Sequence, residues 1–374
     1  MKIIEVCPRY APHIGGVETH VKELSERLKK RFDLEVYTTD STSKSKKTEI
    51  IDGIKVSRFK SFAPKNSYYF SLDLLTALNK SKFDVVHGHS YHALPLLFSS
   101  LSKKTRAKFI ATFHYFGNGY TTFRSLLHIP YTLLGYHIVS SADKIICISK
   151  NEKENIIRKF PHANGKITHI PNGVDYDCFA NSKPISNDDI FNRTEFNILY
   201  TGRLSPEKNL KILFFAYKEL QKKFHNLKLT IVGEGPEYKR LQKLAKQLSL
   251  TNIEWVGKVS QKYVARYYKS ADVFILPSIK EIQGISILEA MAAGLPTITT
   301  KFNGAEEIIP PNTGLFFKNN DYFDLANKIS TLIEDEIFRK KIAKNAQKHV
   351  KKKFDWKVLM PKYIKLFKGI GTNE

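Results

Sequence analysis

Two glutamates eight positions apart, Glu281 and Glu289, flank a glycine, Gly284, in SIKEIQGISILEAMAAGLPTITT, residues 278–300. A helix is predicted to start near Ser286 and to stop at Gly294 and Pro296, because glycine past the last turn followed by proline ends a helix. One carboxylate then sits in the loop before the helix and the other on its first turn. The backbone N–H groups between them suit a phosphate or a sugar hydroxyl; two surface glutamates around a helix start would show the same spacing. In ILYTGRLSPEKNL, residues 198–210, a strand ends at Gly202, and Arg203 and Lys208 follow. Two cations placed so can converge on one diphosphate, or stay separately solvated. Gly15 and Gly16 in PRYAPHIGGVETH lie between the first strand and the first long helix. They allow close backbone approach to a phosphate or sugar, although a plain tight turn fits as well and the spacing is not Gly-x-Gly-x-x-Gly. His114 follows the strand-like FIATF, and His87 and His89 fall in HGHS at a neighbouring strand end.

These residues need a frame, and the alternation of apolar runs supplies one. KIIEVCP leads into ETHVKELSERLKK, whose Val21, Leu24 and Leu28 recur at helical spacing. Buried strands are predicted at residues 34–39, 84–87, 108–113 and 144–149. After a polar linker at 181–194 a second series follows at 196–202, 228–233, 253–257, 271–277 and 296–300, with helices over 210–224 and 236–248. Alternating strands and helices imply parallel sheets covered on both faces, here two doubly wound α/β domains. Open parallel sheets bind ligands at the carboxyl ends of their strands. Two such sheets facing each other create an interdomain cleft.

A chain of 374 residues exceeds one ordinary core, and 42% hydrophobic with 26% charged residues excludes wholesale disorder. Cys7, Cys147 and Cys178 share no metal or redox spacing, which points to reduced cytosol, and the N-terminus shows no signal-peptide pattern. The net charge of +24 is unevenly placed: +13 over residues 1–170, +1 over 171–338 and +10 over 339–374. The charged ends are either solvated lysine-rich faces or a surface for anionic lipid, acidic glycan or nucleic acid.

The segment from Glu281 to Glu289 resembles the Glu-x7-Glu signature of the GT4 family of retaining glycosyltransferases. ILYTGRLSPEKNL is similar to that family's Gly-Arg…Glu-Lys-Asn element. ADKIICIS (142–149), IPNGVD (170–175), IVGEGPE (231–237) and ADVFILPS (271–278) extend the resemblance over nearly the whole chain. One departure is that the family commonly reads Glu-Gly-Phe-Gly where this chain has Glu281-Ile282-Gln283-Gly284. The resemblance implies a GT-B fold: an acceptor-binding Rossmann-like domain over 1–170, a nucleotide-sugar-binding one over 171–354, and a C-terminal helix in 355–374 crossing back to the first. It implies that Glu281 contacts the transferred sugar, Glu289 the ribose, and the backbone of Gly284, Ile285 and Ser286 the sugar and diphosphate. Arg203 and Lys208 inherit the leaving diphosphate, Gly233 and Glu234 the base and ribose pocket, and Gly15 and Gly16 a reach to the donor. His114 is assigned to sugar positioning. His87 and His89 either shape the acceptor side or are satisfied core histidines.

The implied activity is hexosyl transfer with retained anomeric configuration, from a nucleotide diphosphate sugar to a hydroxyl of a lipid-linked or glycan acceptor, UDP being slightly favoured over GDP. No cofactor or metal is expected, because Arg203 and Lys208 neutralise the leaving group. Asp175-Tyr176-Asp177 carries the Asp-x-Asp pattern of the other major glycosyltransferase fold, but it lies inside IPNGVD, far from Glu281, and is not read as a metal site. The basic ends and the apolar, aromatic stretch 115–139 suggest peripheral contact with anionic membrane at the cytoplasmic face. Two rivals stay open. A sugar-nucleotide epimerase of the same architecture would bind the donor and use no acceptor. A nucleic-acid-binding protein would account for the charge, although no nucleic-acid motif is present.

Overall fold

The first strand, KIIEVC, is buried along almost its whole length, as a central strand of a parallel sheet covered on both faces must be. The computed structural model describes residues 1–42, 46–64, 67–102, 107–115, 122–185, 195–281, 283–302 and 304–371. The chain divides into two units, residues 1–172 with 359–374, and residues 173–358.

In the first unit eight strands form one sheet: β1 (Lys2–Cys7), β2 (Asp33–Asp40), β3 (Thr48–Ile51), β4 (Ile54–Lys60), β5 (Val85–His89), β6 (Lys108–Thr112), β7 (Lys144–Cys147) and β8 (Ile167–His169). Their order is β3-β4-β2-β1-β5-β6-β7-β8, parallel except for the β3–β4 hairpin. The chain runs outward from β1 and returns to place β5 on the other side of it, so the topological switch lies between β1 and β5. The parallel register sets Glu5 beside His87 and His89 beside Thr112. The final helix, Trp356–Gly371, buries Tyr363 and Phe367 in this unit, where Phe367 meets Phe32 and His87.

The second unit has six parallel strands: β9 (Phe196–Thr201), β10 (Leu227–Val232), β11 (Ile253–Gly257), β12 (Val273–Leu276), β13 (Thr297–Thr300) and β14 (Leu315–Phe317), in the order β11-β10-β9-β12-β13-β14. Here the switch lies between β9 and β12, which pair directly. Crevices beyond such switch points are where ligands bind doubly wound sheets. The strands expected from the sequence are present within a residue or two at their ends. The linker expected at 181–194 lies outside the described residues from 186 onward.

Candidate active site

The loops beyond β9 and β12, on the two sides of the switch, bring together residues 73 positions apart in sequence. Gly202 follows β9 at φ +146° and Arg203 comes next, exposed. The buried Tyr200 hydroxyl donates to the Arg203 carbonyl at 2.9 Å, which fixes the turn. A short 3-10 turn, Pro206–Lys208, then leads through left-handed Asn209 into the helix Leu210–Gln221. Across the switch, the Ile279 N–H donates to the Glu207 carbonyl at 2.9 Å, and Lys208 Nζ meets Glu281 Oε2 at 2.5 Å. The ion pair is partly exposed, so its geometry is more telling than its contribution to stability.

Gly284 caps the helix Ile285–Ala293 in the left-handed region, φ +49°, and Gly294 closes it at φ +78°. A left-handed residue before the first turn suits glycine and leaves the N–H groups of Ile285 and Ser286 among those without an intrahelical acceptor. Glu289 is the fifth helical residue and therefore lies on the second turn, one turn later than the sequence predicts. The Tyr268 hydroxyl lies 2.9 Å from Glu289 Oε2 and also contacts Thr201 Oγ1 and the Ser286 carbonyl. Burial, followed by the Glu289 charge, pushes the Tyr268 phenol well up, so it stays protonated and donates. Of the departure from the family pattern, Ile282 lies outside the described residues, and Gln283 is buried.

The loop beyond β10 packs against the loop beyond β9, backbone to backbone. Leu204 donates to the Glu234 carbonyl at 2.9 Å, Glu237 returns a bond to the Leu204 carbonyl at 3.0 Å, and Gly233 donates to Gly257 at 2.8 Å. Glu234 is exposed. The second unit thus gathers Arg203, Lys208, Gly233, Glu234, Glu281, Gly284 and Glu289 at the carboxyl ends of β9, β10 and β12.

In the first unit the glycines follow β1. Gly16 starts the first helix, and a Cβ there would meet nothing within 4 Å among the described residues. Gly15 is extended, and a Cβ there would strike the Glu18 carboxylate, which pairs with Arg9 at 2.5 Å. The absence of a side chain at Gly15 therefore makes room for this chain's own carboxylate. His114 stands just past β6 in a left-handed conformation, φ +47°, with its ring buried. His87 is fully buried, with Nδ1 3.1 Å from Glu5 Oε1 and Nε2 2.8 Å from Thr112 Oγ1. His89, also fully buried, places Nε2 2.7 Å from Glu5 Oε2. Both rings therefore occupy the core position the sequence left as one alternative, and neither presents an edge to solvent. Burial opposes ionisation of Glu5, but the two imidazoles outweigh it and hold the carboxyl down at about 2.

Asp175 and Asp177 have local partners. Asp175 caps the helix Tyr176–Ala180 by accepting from the Cys178 N–H at 3.1 Å, and Asp177 pairs with Lys357. Of the stretch 115–139, residues 116–121 lie outside the described residues. The helix Thr122–Ser141 exposes Leu133, Leu134 and Tyr136. Among the described residues no helix is long and apolar enough to cross a membrane.

Sequence reasoning passes over Glu5, His20, Glu152 and Tyr268, whose partners are set by register and packing. Glu152 is fully buried and its two oxygens accept the N–H groups of Tyr115 and Ile148, both at 2.6 Å, tying the residue after His114 to the end of β7. Burial is the largest influence on its carboxyl and pushes it up to about 7, against its backbone hydrogen bonds. Replacing Glu152 with alanine leaves two buried N–H groups without that acceptor, a loss of about 1–3 kcal/mol for each. A folded-state value raised above the unfolded one gives a contribution fully present below about 4.5 that fades as pH rises through about 7. The Glu152→Ala penalty, read from urea midpoints, is therefore expected to be larger at pH 5 than at pH 8.

A pair of doubly wound parallel-sheet units is the architecture of GT-B glycosyltransferases. The chain is matched over residues 182–349 by the model for glycosyl transferases group 1 and over residues 14–177 by that for glycosyltransferase family 4, and it belongs to this GT4-type family. It is 28% identical over 352 residues to an uncharacterized glycosyltransferase of Methanocaldococcus jannaschii, covering 93% of this chain and 92% of that one. It is also 28% identical over 350 residues to the alpha-monoglucosyldiacylglycerol synthase of Acholeplasma laidlawii, 86% of each chain. The fold matches Anabaena HepE, solved in complex with UDP-glucose, with a TM-score of 0.78 at 20% identity, covering 99% of this chain and 100% of that one. The protein is a hexosyltransferase that uses a sugar-nucleotide donor.

Proposed function

We propose that the protein transfers a hexose or N-acetylhexosamine from a nucleotide diphosphate sugar, UDP rather than GDP, to a hydroxyl on a lipid-linked or glycan acceptor, keeping the anomeric configuration. The observation that carries this reading is the Lys208–Glu281 pair at 2.5 Å across the switch between β9 and β12, beside the left-handed Gly284. A cation for the departing diphosphate and a carboxylate for the sugar are thereby held on one end of one sheet. Arg203 and Lys208 bind the diphosphate and stabilise its developing charge without a divalent ion. The backbone of Ile285 and Ser286 donates to phosphate or sugar, and Glu289 takes the ribose. Gly233 and Glu234 line the base and ribose pocket. Glu281 orients and polarises the sugar and forms no covalent bond to it. His114, with the Gly15–Gly16 loop, positions the sugar from the first unit. A leaving diphosphate oxygen takes the acceptor proton.

Support for a lipid-linked acceptor comes from the basic ends of the chain, the exposed Leu133, Leu134 and Tyr136, and the likeness to an enzyme named for glucosylating diacylglycerol. Each Lys or Arg near an anionic membrane adds about 1 kcal/mol, which supports a peripheral position on a cytoplasmic membrane face. The test is nucleotide release from a panel of UDP- and GDP-sugars, with and without membrane lipid extract and with excess chelator. Lipid-stimulated release from one UDP-sugar, undiminished by chelator, is the expected result. Sugar-nucleotide isomerisation without an acceptor would support the epimerase instead, and complete loss in chelator restored by Mn²⁺ would overturn the metal-free chemistry.

A further inference from the structure

The histidines of the first unit form a cluster larger than sugar positioning requires. His20 on the first helix, His89 on β5 and His114 after β6 are 1%, 0% and 4% exposed. Their ring centroids are 5.2 Å apart for His20–His114, 5.8 Å for His20–His89 and 5.9 Å for His89–His114. One nitrogen from each ring lies within 4.8 Å of the other two. We propose that His20, His89 and His114 bind one borderline transition-metal dication of the zinc class.

Three imidazoles on a tetrahedral ion with bonds near 2.0–2.1 Å have their ligating nitrogens about 3.3 Å apart and their ring centres about 5 Å apart. The observed separations are therefore within about 1.5 Å of closure at the nitrogens. The hydrogen bonds point the same way. His89 Nε2 is 2.7 Å from Glu5 Oε2, and with the proton of that hydrogen bond on Nε2 the Nδ1 lone pair stays available. That Nδ1 is buried with no hydrogen-bond partner among the described residues, and so is His114 Nε2. Buried ring nitrogens without partners are uncommon, and a carboxylate behind a histidine is the usual support of a metal-bound imidazole. The Asn172 side chain bonds to His20 and helps set that ring. The neighbouring group of Glu5, His87 and His89 is a weaker candidate, because its facing atoms are already hydrogen-bonded to one another at 2.7 and 3.1 Å. The fourth position of the ion is left for water or a ligand oxygen.

The full chain, stripped with chelator, is equilibrated with excess Zn²⁺ and desalted, and zinc per chain is counted by mass spectrometry. One ion per chain is expected for the wild type and for His162→Ala, an exposed histidine used as control. Occupancy is expected to fall at least tenfold in His114→Gln and in His89→Gln, and affinity to fall about 10–100-fold in Glu5→Gln through loss of the supporting carboxylate. Should the core variants fail to fold, X-ray absorption on the zinc-loaded wild type decides: scattering from three imidazoles is expected, and fewer than three would overturn the site. A wild type that retains no zinc, or a folded His114→Gln that retains as much as the wild type, would overturn it equally. Zinc held on His114 would also inhibit transfer under the role proposed above, but the ion count stands whatever that role proves to be.

Discussion

Glu281→Ala is expected to lower the rate of sugar transfer about 10²–10³-fold while changing the nucleotide dissociation constant less than about tenfold. The carboxylate lies 2.5 Å from Lys208 Nζ and next to the helix start at Gly284. In the proposed role it acts on the reacting sugar and not on the base. Removing one preorganised polar group that acts on developing charge has an effect of this size. Because Lys208 loses an anionic neighbour in the variant, diphosphate binding is if anything tightened, so the loss falls on kcat. Single-turnover rates and calorimetry with the free nucleotide separate the two effects. Equal losses in both would place Glu281 in ground-state donor binding.

Gly233→Ala is expected to destabilise the second unit by about 2–4 kcal/mol, which shifts the melting temperature of a domain this size by roughly 5–15 °C. Gly233 has φ +135°, a conformation L side chains rarely adopt, and a Cβ would run into the Gly202 carbonyl oxygen. No flexible side chain can yield there, since both partners are backbone. The same change pushes the loop beyond β10 away from the loop that carries Arg203 and Lys208, so donor affinity is expected to fall together with stability. A melting temperature within about 2 °C of the wild type would show that the two loops are not locked as described.

The contrast between these two residues shows what was legible in the sequence. Glu281 could be found because its eight-residue spacing to Glu289, the glycine between them and the Gly294 stop are all local signals. Gly233 was visible as a glycine at a strand end, but its contact with Gly202 follows from β9 and β10 lying side by side. The strands with continuous apolar runs were legible for the same local reason. The β3–β4 hairpin was passed over although Asp52-Gly53 is a hairpin signal, because β3 has only four residues and alternates weakly. The pairing of Glu5 with His87 and His89 was out of reach: Glu5 is more than 80 positions from either histidine, and only the parallel register of β1 and β5 makes them neighbours. Glu152 was hidden likewise, as a glutamate in a charged helix whose backbone partners lie at the ends of two different strands.

The central claim, transfer with retention dependent on the loop set beyond β9 and β12, is tested most directly by the stereochemistry of the product. The wild-type enzyme is given the UDP-sugar that supports lipid-stimulated release, the glycolipid is extracted, and its anomeric proton is read by NMR. The donor's own configuration is expected in the product, and the same glycolipid is expected to form about 10²–10³-fold more slowly with Glu281→Ala. An inverted anomer, or the same glycolipid formed at the wild-type rate by the variant, would contradict that claim.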